Sequence, residues 1–167
     1  MKEYVLVLFK PDVMAKGLMG HLLSRFSEIE LDLVAMKIVA VPKELAEQHY
    51  SSLQDKPFYG EIVDYLRGKL HGGQRVAAFV YAGENAIRLC RGIAGATNPE
   101  EAHPKTIRGS MGRITTKGVY ENAIHVSSDR KEAEREIKLW FTPDDLGENA
   151  FPTRVKDYKA YKNKIWA

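Results

Sequence analysis

A chain of 167 residues fits one ordinary domain and should bury about 70% of its unfolded surface. Its 44% apolar and 28% charged residues fall in the globular range and exclude a disordered or low-complexity chain. A formal charge of +3, spread along the sequence, is too small to mark a nucleic-acid binder and leaves anionic small molecules open. The strongest apolar stretches, Tyr4 to Phe9 and Val76 to Ala82, fall far short of the roughly 20 residues of a membrane-spanning helix. The N-terminus lacks the small-residue cleavage site of a secretory signal, so a cytoplasmic location is expected. The single cysteine, Cys90, excludes an intrachain disulfide and reads as a small buried hydrophobe.

Taken in order, Tyr4 to Phe9 is apolar on both faces, which predicts a strand in the middle of a sheet, stopped by Lys10-Pro11-Asp12. Leu22, Leu23, Phe26 and Ile29 recur at helical spacing after the turn residues Gly17 and Gly20. Leu33 to Val41 predicts a long strand ended by Pro42. Helical stretches around Lys43 to Gln54 and Tyr59 to Leu70 follow, joined at Pro57. A glycine-bearing loop, Leu70 to Arg75, leads into the strand Val76 to Tyr81, which Gly83 closes.

Ala86 to Ala94 predicts a short helix, and Gly95 to Gly118 has so little periodicity that it predicts a long functional loop. Ala123 to Val126 is a short strand. Asp129 then opens the last helix, with Glu132 completing a capping box and Glu134 with Lys138 forming an i,i+4 pair. This order predicts a single α+β domain of the ferredoxin-like kind, a mainly antiparallel sheet covered by helices, over residues 1–142. Residues 143–167, with Tyr158, Tyr161 and Trp166 among lysines, are expected to be a C-terminal extension packing on the domain or on a neighbouring subunit.

The segment Asn122 to Ser128, followed by Glu136 to Phe141, resembles the active-site signature of nucleoside diphosphate kinases, with the glutamate eleven residues after His125. Lys10-Pro11-Asp12 with Gly17 to Gly20, Leu33 to Lys37, His49-Tyr50, Pro57-Phe58, Gly95 to Pro99 and Thr106 to Gly109 match the same family in order. The resemblance implies transfer of the γ-phosphoryl group from a nucleoside triphosphate, typically ATP, to a nucleoside diphosphate through phosphorylated His125, maintaining NTP and dNTP pools. Imidazole suits that task because it is a good nucleophile at pH 7 and can gain and lose charge in turn. Glu136 would fix the ring's tautomer, and Tyr50 would hold the histidine or the moving phosphoryl group.

Lys10, Arg91, Arg108 and Thr97 would contact the phosphates, Phe58 and Val119 the base, and Lys10 and Asn122 the sugar hydroxyls. No glycine-rich P-loop occurs, so side chains must grip the phosphates. The resemblance also implies Mg²⁺ on the nucleotide rather than in a protein cage, and a homo-oligomer (hexamer, tetramer or dimer). No membrane or nucleic acid is required.

The chain departs from the family at Val13, usually glycine, where a left-handed backbone would be strained, and at Ser110 and Ser128, where aspartates are usual. Two insertions lie around residues 68–75 and 111–118. Two further classes fit parts of the chain. One is a nucleotide-binding regulator without phosphotransfer, against which Lys10, His125 and Glu136 argue; the other is a nucleic-acid binder using the basic aromatic tail.

Overall fold

The computed structural model describes residues 1–116 and 118–156. Its central sheet runs in the order β2-β3-β1-β6, antiparallel at every pairing, with β1 (Lys2–Phe9), β2 (Asp32–Ala40), β3 (Arg75–Glu84) and β6 (Ile124–Val126). The helices are α1 (Pro11–Ala15), α2 (Met19–Phe26), α3 (Lys43–His49), α4 (Tyr59–Leu66), α5 (Ala86–Ala94), α6 (Ile107–Met111) and α7 (Arg130–Trp140). A small hairpin, β4 (Arg113–Ile114) with β5 (Tyr120–Glu121), forms a separate two-stranded sheet.

β1 is interior, as its two apolar faces predict. Val5, Val7 and Phe9 pack with α2 and α5 through Leu22, Phe26, Ile87 and Cys90. Leu6 and Leu8 face the other way, onto Ala46 of α3, Val63 and Leu66 of α4, and Ile137 and Trp140 of α7. A strand buried on both sides has to read as a continuous apolar run, because successive side chains alternate between the two cores. Cys90 is fully buried there, and burial pushes its thiol up to about 12.

Several local expectations change. Lys10-Pro11-Asp12 does stop β1, but Pro11 also starts α1, the position at which its missing N–H costs nothing. Val13 therefore lies in a helix, fully buried, and the strain expected of a left-handed backbone does not arise. β3 runs through Gly83 to Glu84; a side chain at Gly83 would meet Leu31 at 2.5 Å, so the glycine makes room rather than ending the strand. α2 ends before Ile29, and α3 and α4 stop short of Gln54 and Leu70. The expected loop 95–118 contains α6, capped by Thr106 Oγ1 accepting the Gly109 N–H at 3.2 Å, and the first strand of the hairpin.

Beyond α7, a turn at Pro143–Asp145 leads to Leu146 and Phe151, which pack on the α7 side of the core, with the Phe151 ring 5.5 Å from that of Tyr4. Tyr158, Tyr161 and Trp166 lie outside the described residues.

Candidate active site

The site grows from the ends of β1 and β6. His125 pairs with Leu8 across the ladder, so its side chain leaves the sheet on the face of Leu6 and Leu8, toward α3 and α7. Asp129 Oδ1 accepts the Glu132 N–H at 2.9 Å and so fixes where α7 begins. From that start, the helical period places Ala133, Glu136, Ile137 and Trp140 on the buried face.

Glu136 Oε1 then lies 2.9 Å from His125 Nε2, while Ser127 Oγ donates to Oε2 at 2.6 Å and Arg135 Nη2 stands 3.8 Å away. The Nε2–H is not aimed along the line to the carboxylate, a misalignment common before substrate binds. Burial pushes the Glu136 pKa up and is the largest single influence, yet His125, Ser127 and Arg135 together bring it below its usual value. The carboxylate is thus held ionised. Nδ1 of His125 makes no hydrogen bond with any described residue and is the nitrogen left open to solvent.

A second imidazole completes the cluster. His49, at the end of α3, is 2% exposed and stands edge-on to His125 with ring centroids 4.4 Å apart. The Trp140 indole N–H donates to His49 Nδ1 at 3.2 Å, so the proton of the neutral ring sits on Nε2. Burial, then His125, Lys10 and Arg135, keeps that ring well below the usual histidine pKa. Arg135 docks α3 onto α7 by donating to the Gln48 and His49 carbonyls at 3.1 Å each.

His49, His125 and Glu136 bring one potential ligand atom each within 4.8 Å of one another. The proton on His49 Nε2 argues against a metal there, and a pair of imidazoles does not suit Mg²⁺, which prefers oxygen. A divalent ion fits this site better on a bound anion's oxygens than in a protein cage. Asp129 is committed to capping α7 and accepts the Ser128 hydroxyl at 2.8 Å.

The basic groups converge on the same side. Lys10 follows β1 directly, is 6% exposed, and donates from Nζ to Asn122 Oδ1 at 2.7 Å. Burial, then the nearby Arg108 charge, lowers its pKa to about 7. Asn122 Nδ2 donates in turn to the Thr97 carbonyl at 3.0 Å. Arg108 is drawn inward by the Gly95 carbonyl at 2.7 Å and the Ile124 carbonyl at 2.9 Å, leaving Nε without a partner. Burial, then Arg91, lowers its pKa to about 10, which places the exposed Arg91 within electrostatic reach. Tyr50 packs its ring 4.7 Å from that of His49; burial and the Glu136 charge push its hydroxyl up.

Ala123 joins these halves with φ at +62°, a left-handed conformation that an alanine adopts at a cost of about 1–3 kcal/mol. That turn sets Asn122 toward Lys10 and His125 toward α7. Phe58, at the start of α4, keeps 45% of its surface exposed as an open aromatic face, whereas Val119 is buried in the hairpin beside Thr115. Of the expected residues, His125, Glu136, Tyr50, Lys10, Arg108 and Asn122 form one connected cluster, with Arg91 and Thr97 at its rim. Ser127, Arg135 and Trp140 belong to it as well, and so does His49, which the sequence places in a motif without a role.

Residues 3–146 match the family model for nucleoside diphosphate kinase. A nucleoside diphosphate kinase of Pyrococcus horikoshii is 40% identical over 146 residues, covering 87% of this chain and 89% of the relative. One of Staphylococcus epidermidis is 39% identical over 150 residues, covering 90% and 95%. Among solved structures, the Halobacterium salinarum enzyme in complex with CDP superposes with a TM-score of 0.78 at 36% identity, covering 87% of this chain and 91% of that one. The Borrelia burgdorferi enzyme, a transition-state mimic with vanadate and ADP, gives 0.77 at 28% identity, covering 93% and 94%. An antiparallel sheet with His125 and Glu136 in contact at its edge, and relatives of this similarity over nearly the whole chain, place the protein in the nucleoside diphosphate kinase family of phosphotransferases.

Proposed function

We propose that His125 Nδ1 attacks the γ-phosphorus of a nucleoside triphosphate, typically ATP, and that the diphosphate leaves with the electron pair of the broken P–O bond. A second nucleoside diphosphate then takes the phosphoryl group from His125 by the reverse step, which maintains NTP and dNTP pools. The observation that carries this reading is the split environment of one imidazole: Nε2 faces the ionised Glu136 at 2.9 Å and Nδ1 is open. A carboxylate beside Nε2 favours the tautomer whose lone pair sits on Nδ1.

The other residues bind and orient. Lys10, Arg91, Arg108 and the Thr97 hydroxyl hold the phosphates, since a loose phosphoryl-transfer transition state is stabilised chiefly by positioned cations. Tyr50 steadies His125 or the phosphoryl group from beside His49. Lys10 and Asn122 meet the sugar hydroxyls, and the base stacks on Phe58 with Val119 beyond it, a contact tolerant of any base. Mg²⁺, carried by the nucleotide, supplies charge neutralisation on the phosphate oxygens. The CDP and the ADP with vanadate bound by two solved relatives support nucleotides as the ligands.

The exposed Leu33, Met36 and Ile38 on the edge strand β2 support a homo-oligomer, whether dimer, tetramer or hexamer, because an apolar edge calls for a cover. Residues 143–167 serve as an extension beyond the domain of residues 1–142, a reading supported by the packing of Leu146 and Phe151. The work is done in the cytoplasm, where the nucleotide pools are; no described helix is long and apolar enough to cross a membrane.

Initial-rate kinetics with ATP and CDP test the proposal. Parallel double-reciprocal lines are expected, because both substrates use one site in turn. Intersecting lines would require both to bind together and would overturn it.

A further inference from the structure

His71 and Arg113, one from each of the two segments that read in the sequence as insertions, come together at one carboxylate. Glu121 in β5 is 3% exposed. It accepts from Arg113 Nε at 2.5 Å and Nη2 at 3.1 Å across the hairpin, and lies 3.0 Å from His71 Nε2 in the other insertion. Lys16 Nζ, just past α1, is 3.6 Å away. The first insertion is folded tightly enough to hold His71 in place: Gly68 has φ at +75°, and a Cβ there would sit 1.7 Å from the Gly73 carbonyl oxygen.

This carboxylate adjoins one of the residues assigned to the sugar and reaches the other through two aromatic rings. The next residue along the chain is Asn122. On the other side, the His71 ring lies 5.7 Å from that of Tyr65, whose hydroxyl donates to Asp12 at 2.8 Å and whose face carries Lys10 Nζ 5.0 Å from its centroid. A bidentate arginine on a buried carboxylate fixes direction as well as distance. Arg113 thus ties the two strands of the hairpin together, and the hairpin cannot swing without breaking the Glu121 contacts to His71 and Lys16, so that Asn122 is anchored at its base.

We propose that Glu121 is a positioning residue for the sugar end of the nucleotide site, clamping the two insertions so that Asn122 and Lys10 stand where ribose hydroxyls bind. This rests on the phosphotransfer reading above. A group that only stabilised the insertions would affect all nucleotides alike, whereas one that positions Asn122 and Lys10 affects those that carry sugar hydroxyls.

The test uses the full chain, with Glu121→Gln and Arg113→Gln; the Arg113 side chain is 62% exposed, so its replacement leaves the fold intact if the buried variant does not. The phosphorylated protein is discharged with CDP and with 2′,3′-dideoxy-CDP. In both variants kcat/KM for CDP should fall about tenfold, chiefly through KM, which is the worth of one charge-assisted hydrogen bond. The dideoxy substrate, with no hydroxyl contact to lose, should change little, so the preference for CDP shrinks by about the same factor. Equal losses on both substrates, or an unchanged preference beside a lowered melting temperature, would overturn the clamp while leaving phosphotransfer intact. A wild-type chain that takes up no phosphoryl group would overturn both.

Discussion

Replacing Glu136 by Gln keeps the side chain's length and removes its charge at a position 4% exposed. The carboxylate is fastened by Ser127 at 2.6 Å and faces His125 Nε2 at 2.9 Å, so an amide of the same shape can stay in place but no longer favours a proton on Nε2. Carboxylates that orient metal-bound histidines contribute about 10–100-fold, or about 1.4–2.7 kcal/mol of barrier, and a phosphoryl acceptor should depend on its tautomer to a similar degree. Single-turnover phosphorylation by γ-labelled ATP should slow by that factor, with ADP affinity within about twofold of the wild type, since Glu136 faces the histidine and not the nucleotide. Its pKa is lowered on folding, so its stabilisation is present above the ordinary 4.5 and is lost as pH falls through the lower folded value. The stability difference between wild type and Glu136→Gln should therefore narrow below pH 4.5. An unchanged phosphorylation rate would refute the orienting role.

Lys10, with a pKa lowered to about 7 by burial and by Arg108, is mostly neutral at about pH 8, and bound phosphates should recharge it. Binding of ADP at that pH should take up about one proton, read from titration calorimetry in buffers of different ionisation enthalpy; no uptake would place Lys10 away from the phosphates. Because the unfolded chain binds this proton more tightly, the same group makes the free protein's stability rise with pH between about 7 and 10.5. Cys90 should resist thiol reagents in the native protein and react once on unfolding, its thiol being buried and pushed up to about 12; rapid native labelling would contradict its packing. Gly68→Ala should cost about 1–3 kcal/mol in denaturant unfolding, because φ is +75° and the Gly73 carbonyl occupies the space; a change below about 0.5 kcal/mol would mean the turn gives way freely.

What the sequence revealed and what it hid follow from the range of the interactions. β1 was legible because burial on both faces leaves an unbroken apolar run, and the His125 and Glu136 pair because the Asp129 cap fixes the phase of α7. The five-residue helices α1 and α6 were not, since neither is long enough to show a period. Arg108 carries no local signal of burial; its guanidinium is held by the carbonyls of Gly95 and Ile124, both distant in sequence. His49 looked like any helical histidine until Trp140, 91 residues later, donated to it. The strain that a left-handed backbone would bring to Val13 does not arise, because Pro11 begins a helix directly after the strand it stops.

The measurement that bears most directly on the account is incubation with γ-labelled ATP and Mg²⁺, followed by mapping of the label. Label should appear on His125, resist base, be lost in acid, and leave as labelled triphosphate when GDP or CDP is added, while His125→Ala still binds ADP but takes up none. Label on another residue, label that no diphosphate removes, or undiminished transfer by His125→Ala would contradict it.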